Sequence, residues 1–372
     1  MTQFIVGPVE LYESTRNVYQ KDFTYFRTTE YGDMVKETLA KLNKMIGNSV
    51  ENSLIYLTAS GTAAMEAVIE NCCKKEDKAL VINGGTFGRR FCELLEYHNV
   101  DFSQIKLEWG EALTPEHLVR YDNQDYTMFF VNLHETSTGQ LYDIKMISEF
   151  CKKNNLLLVV DAISTFLCDE YNMEKYEIDV TITSSQKGLC LSPGLSFVSF
   201  SQRMLDRINS CEKTASKYFD FKDYLKNITR GQTPYTPAVF IMYELADMLE
   251  LIEKEGGGVN LGVNARLNSI KEKCLYFRNR AKEIGLKIPD SYPLSYMLTP
   301  LMFEDVKASE VLQILRERYH LYVNPCGGDL ADKLCRVSHI GNTTLEDFDN
   351  LIEKLEIVVN ELRNKELVYD RK

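Results

Sequence analysis

The chain lacks several features that would place it in large and familiar classes. No window approaches the ~18 consecutive apolar residues of a membrane-spanning helix, which argues against an integral helical membrane protein. The opening stretch, Met1 to Ser14, has neither a basic segment nor a long apolar one, so no secretory signal is expected and the expected location is the cytoplasm. Basic charge is scarce: 43 Lys and Arg stand against 54 Asp and Glu, for a formal charge of −11. A chain with that balance lacks the basic face that nucleic acid requires. There is no Cys-x-x-Cys pair to suggest structural zinc. The ten cysteines are irregularly spaced, with Cys72 and Cys73 adjacent, so they read as reduced, mostly buried apolar side chains rather than a disulfide framework. Neither an internal repeat nor a low-complexity segment is present.

What is present is an ordinary globular composition, 44% hydrophobic and 26% charged. At 372 residues the chain exceeds one compact core and fits two domains, at roughly 150 residues each. Short apolar runs at Ala79–Ile82, Thr127–Asn132, Leu156–Val160, Val180–Thr183 and Leu195–Phe200 show little polar alternation, as expected of strands covered on both faces. Segments of helical period lie between them, at Thr62–Cys73, Arg89–His98 and Ile144–Asn154. This rhythm predicts an α/β fold with an open, mostly parallel sheet between helices.

A helix from about Pro237 to Lys254 runs into Gly256–Gly258, where three glycines free the backbone. A further helix is expected over Asn264–Ile284. A block of different texture follows, with strands near Tyr296–Thr299, Leu321–Val323 and Leu334–Val337 and helices Ala308–Arg318 and Thr344–Leu362. The expected domains are an N-terminal segment 1–20, a large domain 21–256 and a small α+β domain 257–372. The charged tail Asn364–Lys372 is expected to fray.

Ligands of open α/β sheets sit beyond the carboxyl ends of the strands, so residues that directly follow strands carry the interest. Asp161 follows the run Leu156–Val160; a carboxylate there suits a cofactor's protonated ring nitrogen, or else caps a turn. Lys187 follows another strand, in the setting Thr183–Gly188. A lysine amine deprotonated by its surroundings forms Schiff bases with aldehydes, whereas most lysines are simply solvated. Ser60, Gly61 and Thr62 open a helix, where free N–H groups and the dipole make an anion site or a plain cap. Phe87, in the glycine-rich stretch Asn83–Arg90, could stack on a planar cofactor or pack into the core.

In this order the elements resemble a class V aminotransferase of the pyridoxal-phosphate (PLP) fold type I. The similarity is to the alanine–glyoxylate and 2-aminoethylphosphonate–pyruvate transaminase branch. It rests on Gly7–Val9, Ala59–Thr62 with Ala64–Ala67, Gly85–Arg89, Glu135–Gly139, Val159–Ala162, Ser185–Lys187, Thr236–Pro237, and Arg336 followed by Ile340–Asn342. These stretches span almost the whole chain.

The resemblance implies PLP held by Lys187, which then shuttles the proton, with Asp161 on the pyridine nitrogen. It implies Phe87 and Ile163 on the two ring faces and Thr136 on the ring hydroxyl. Ser60, Gly61, Thr62 and Gln186 would hold the phosphate. Thr233 and Thr236 would reach it across a homodimer interface, and Arg336 would grip the substrate carboxylate in bidentate fashion. Gly7 is placed at the substrate, and Arg27 is a candidate second anion contact, or else a surface ion pair.

Two departures stand out. Phe87 replaces the Trp or Tyr of several relatives. The histidine that precedes the lysine in cysteine desulfurases is missing, and Cys326 is the nearest, weak candidate for a persulfide loop. The expected activity is ping-pong transfer of an amino group from a small amine or amino acid, with 2-aminoethylphosphonate favoured, to pyruvate or glyoxylate. The alternatives are an alanine/serine–glyoxylate type transaminase, a PLP lyase or desulfurase, and last a non-catalytic binding protein.

Overall fold

The computed structural model describes residues 1–211 and 214–369. Thirteen strands are assigned among them: β1 Thr2–Phe4, β2 Leu54–Leu57, β3 Lys78–Asn83, β4 Asp101–Lys106, β5 Met128–Asn132, β6 His134–Glu135, β7 Gln140–Leu141, β8 Leu157–Asp161, β9 Val180–Ser184, β10 Ser196–Phe200, β11 Leu298–Met302, β12 Leu321–Pro325 and β13 Leu334–Ser338.

Seven of these form the large sheet in the order β2-β10-β9-β8-β5-β3-β4. The pairs β3/β4, β3/β5, β5/β8 and β8/β9 are parallel, while β10 runs antiparallel to both β2 and β9. Every residue of β5, β8, β9 and β10 is buried. β5 and β8 are accordingly almost continuous apolar runs, whereas β9 and β10 interleave buried Thr and Ser with their apolar residues. The expected α/β fold with a mostly parallel sheet is therefore correct.

Two strands of this sheet carry no clear sequence signal. β4, Asp-Phe-Ser-Gln-Ile-Lys, lies at the sheet edge and is half exposed, so its polar residues need no partner across the sheet. β2 has only four residues, too short to distinguish from a buried helix turn.

The second sheet, β1-β12-β13-β11, has its own apolar cluster, which includes Phe4, Phe277, Leu301, Val311 and Phe348. β1 pairs in parallel with β12, in register Thr2↔Leu321 to Phe4↔Val323. The first residues thus join the sheet built from residues 298–338, and the chain then crosses toward the large sheet.

Around the glycine run, one helix spans Val239–Gly256 and the next Val259–Glu283. Gly257 takes φ +73°, the left-handed turn that ends the first helix. The second helix contributes Ile270 to the large cluster and Phe277 to the small one, so it spans both cores. The tail expected to fray is helical backbone as far as Tyr369, and Asp370 to Lys372 lie outside the described residues. No helix among the described residues is long and apolar enough to cross a membrane.

Candidate active site

The carboxyl ends of β5, β8 and β9 point to one side of the large sheet and open onto a cavity of about 260 Å³. Its walls include Gly7, Ser60, Gly61, Thr62, Phe87, Thr136, Asp161, Ile163, Gln186 and Lys187. Ten residues from six separate stretches of sequence thus meet at one place. Arg336, Arg27, Thr233 and Thr236 are not among the lining residues.

Lys187 follows β9 and lines this cavity. Its Nζ donates to the Val6 carbonyl oxygen at 2.6 Å. Burial pushes its amine down from 10.5 to about 8; the Arg336 charge adds to the shift and the Asp161 carboxylate opposes it. Gly7 packs directly on the lysine stem. A Cβ at Gly7, where φ is +133°, would lie 2.8 Å from Lys187 Cδ, so only glycine fits there.

Asp161 ends β8 and is 6% exposed. Its Oδ1 accepts the Ile163 N–H at 2.9 Å, which aims the carboxyl group into the cavity. Burial raises its pKa to about 6; the Ile163 hydrogen bond and the Lys187 charge pull the other way, while Glu135 adds to the rise. A cationic ring nitrogen against this carboxylate would oppose that rise and favour its anionic form.

The helix Gly61–Cys72 begins at the cavity mouth. The Ser60 hydroxyl accepts from Ala63 N, and the remaining first-turn N–H groups have no partner within the helix. A Cβ on Gly61 would lie 2.4 Å from Ile163 Cδ1, so glycine keeps this helix start close against the Ile163 side chain. Arg336 donates from Nη1 to the Thr136 carbonyl at 2.8 Å and from Nη2 to the Pro325 carbonyl at 2.5 Å; its buried Nε has no partner among the described residues.

Arg27 is exposed and holds a loop instead of facing the cavity. It donates to Gln232 Oε1, Thr233 O and Pro234 O at 3.1, 2.8 and 3.2 Å. Thr233 is buried in that loop, its hydroxyl donating to Tyr235 O at 2.7 Å, and Thr236 is exposed.

Other wall residues were not singled out by sequence as site residues: Pro8, Met65, Arg90, His134, Ser164 and Pro193. His134 is fully buried and Nδ1 faces the Ser164 carbonyl at 3.1 Å, while Ser164 Oγ donates to the His134 carbonyl at 3.1 Å. Burial lowers its pKa to about 3, so the ring is neutral and Nδ1 carries the proton. Arg90 donates to Thr62 Oγ1 at 3.2 Å and lies 4.8 Å over the Phe87 ring. No local pattern marks these side chains.

The cavity suits a planar, phosphorylated, aldehyde-bearing group. A helix start presents N–H groups for an anion. A buried carboxylate faces the cavity across from a partly deprotonated amine. Two wall residues carry buried polar atoms with no partner among the described residues, Thr136 Oγ1 and His134 Nε2. Such orphans are rare in native proteins and point to a missing partner.

The fold and this site define a PLP enzyme of fold type I. The chain belongs to the aminotransferase class-V family, whose model matches residues 9–351; it is a PLP-dependent transaminase. It is 30% identical over 344 residues to an uncharacterized aminotransferase of Methanocaldococcus jannaschii, covering 91% of this chain and 87% of that one. It is 26% identical to an L-aspartate–glyoxylate aminotransferase of Paracoccus denitrificans, over 92% of this chain and 86% of that one. The crystal structure of an alanine–glyoxylate aminotransferase from Nostoc sp. superposes with a TM-score of 0.89 at 24% identity, covering 96% of each chain.

Proposed function

We propose that the enzyme moves an amino group from a small amino acid or amine to a 2-oxo acid, glyoxylate or pyruvate, in two half-reactions. The observation that carries this reading is the meeting of Lys187 and Asp161 at one cavity beside the start of an anion-binding helix. PLP, when bound, supplies the aldehyde and the electron-withdrawing ring that accepts charge from the substrate α-carbon.

The chain's own residues do the rest. Ser60, Gly61, Thr62 and Gln186 hold the phosphate. Asp161 keeps the ring nitrogen protonated. Phe87 and Ile163 confine the ring from its two faces, and Thr136 donates to the ring hydroxyl. Lys187 Nζ, once released, carries the proton at the α-carbon. Arg336 binds the substrate carboxylate through two parallel hydrogen bonds, from the unpartnered Nε and from Nη2, which must leave the Pro325 carbonyl to do so. Glyoxylate as acceptor is favoured by the relatives that bear its name.

The reading with 2-aminoethylphosphonate as donor has one supporting observation. Arg90 lies on the cavity wall, and its one hydrogen bond among the described residues is to Thr62 Oγ1, which leaves donors for a second anionic group. Arg27 lends that reading no support within one protomer, because its guanidinium serves the 232–234 loop.

The active form is proposed to be a homodimer in the cytoplasm. Tyr19, Phe23 and Tyr25 are 56%, 54% and 62% exposed, and Tyr19 and Phe23 pack on Phe240, four residues past the exposed Thr236. A second copy covering this surface would bring Thr233 and Thr236 toward its neighbour's phosphate. The ten free cysteines suit a reducing compartment.

The test is a half-reaction screen of alanine, serine, aspartate and 2-aminoethylphosphonate, followed by glyoxylate or pyruvate. Conversion of the bound cofactor by a donor alone, reversed by an oxo acid alone, is the expected result. Turnover with no need for an acceptor would indicate a lyase instead. Light scattering tests the dimer, and a monomer at micromolar concentration with full activity would refute that part.

A further inference from the structure

Glu135 opens the turn Glu135–Gly139 and has no place in the scheme above. It is fully buried. A buried carboxylate is costly unless its lone pairs are met, and here five donors meet them. Oε2 accepts from the backbone N–H groups of Phe87 and Gly88 at 3.1 and 3.2 Å and from Asn132 Nδ2 at 3.2 Å. Oε1 accepts from Ser137 N at 3.2 Å and Ser137 Oγ at 2.5 Å.

The contacts to Phe87 and Gly88 fall on the first turn of the helix Thr86–Tyr97. Its N-cap, Gly85, has no side chain to offer, so the helix lacks a local cap. A carboxylate from another part of the sheet does that work, and its charge is favourable at a helix N-terminus. The fit is close on the opposite side too. A Cβ on Gly85 would lie 2.5 Å from Glu135 Cδ and 2.5 Å from Ser137 Oγ. Ser137 adds a second tie, accepting the Thr86 N–H at 3.3 Å.

The Phe87 ring hangs from the residue whose own N–H is held. Its other neighbour is the Arg90 guanidinium, which reaches on to Thr62 at the start of the phosphate helix. A line of contacts therefore runs from the end of β5 through Asn132, Glu135, Phe87 and Arg90 to Thr62.

We propose that Glu135 is a positioning residue: it ties the first turn of the Thr86–Tyr97 helix to the end of β5 and so sets the height and tilt of the Phe87 ring over the cavity. This rests on the reading of the cavity as the PLP site. The tie requires an anion. Both oxygens face only donors, so a glutamine must turn its NH₂ against either the helix N–H groups or Ser137 N–H.

The experiment compares wild type, Glu135→Gln, Phe87→Ala and the double variant. Each apoprotein is titrated with PLP, and the visible circular dichroism of each holoprotein is recorded as a report on the pose of the bound ring. In the wild-type background Glu135→Gln is expected to weaken PLP binding roughly 3–10-fold, the range of one aromatic stack, and to alter the dichroic band. In the Phe87→Ala background the same change is expected to shift affinity less than about twofold, because the ring it positions is gone.

Equal losses in both backgrounds, or an unaltered affinity and band in Glu135→Gln, would overturn the proposal. If Glu135→Gln does not fold, Ser137→Ala is read in its place. It removes one donor to Oε1 and the acceptor of Thr86 N–H, and an unchanged band and affinity there would overturn the proposal equally. Failure of wild-type apoprotein to bind PLP at Lys187 would instead reject the reading of the cavity itself.

Discussion

Lys187 is the residue whose environment makes the sharpest demand on experiment. Its amine is held at about 8 in place of the ordinary 10.5, chiefly because burial disfavours the ammonium and the Arg336 charge adds to this. At pH 7 about a tenth of the amine is then free base, roughly 300-fold more than for a solvent-exposed lysine. The perturbation is to offer apoprotein less than one equivalent of PLP between about pH 6 and about pH 10, quench with borohydride and map the labelled peptide. Label is expected at Lys187, at a rate that climbs about tenfold per pH unit below 8 and flattens above it. A rate still climbing at pH 10, or label spread over surface lysines, would refute the argument.

The same shift has a stability consequence. The folded-state value lies below the unfolded one, so the folded protein binds fewer protons between about 8 and 10.5 and apoprotein stability rises with pH in that window. Below it, burying the ammonium costs ~3 kcal/mol. Lys187→Met should therefore stabilise the apoprotein at pH 7 by ~2 kcal/mol, after about 1 kcal/mol is subtracted for the lost bond to the Val6 carbonyl. That gain should vanish by about pH 10.5. Denaturant melts at the two pH values check the sign.

Three further outcomes follow from the same geometry. Asp161→Asn keeps the shape and removes the charge that would hold the ring nitrogen; half-reaction rates should fall by about 10–100-fold while PLP still binds, and an unchanged rate by stopped-flow would count against the role. Gly7→Ala combines φ +133° with a Cβ 2.8 Å from Lys187 Cδ, so trapping of PLP at Lys187 should slow and the protein should lose ~1–3 kcal/mol by denaturant melt. Arg336→Ala should raise KM for the oxo acid and cost ~2–4 kcal/mol in kcat/KM, with Arg336→Lys recovering only part; equal kinetics for all three would assign the carboxylate to another group.

What the sequence determined by itself is what short-range physics writes into it. β3, β5 and β8 are legible as apolar runs because strands buried on both faces admit little else, while β9 is legible only through Val180 and Ile182 among its hydroxyl residues. Asp161 stands out because it ends an apolar run at a strand end, and Lys187 because it follows β9 within a stretch of small polar residues. The starts of helices are legible at Ser60 and Asp143, whose side chains cap their own first turns.

Only the tertiary structure decided the rest. β1 joins a strand more than 300 residues away, and no local window reports such a pairing. Glu135 caps a helix 47 residues before it, and Arg27 grips a loop 206 residues after it. His134 faces the cavity through a mutual bond with Ser164, 30 residues on. Each of these partnerships is set by how distant segments of the chain stack together. The hydrophobic pattern dictates that stacking, but the hydrogen bonds it makes available exist only once the strands have come together.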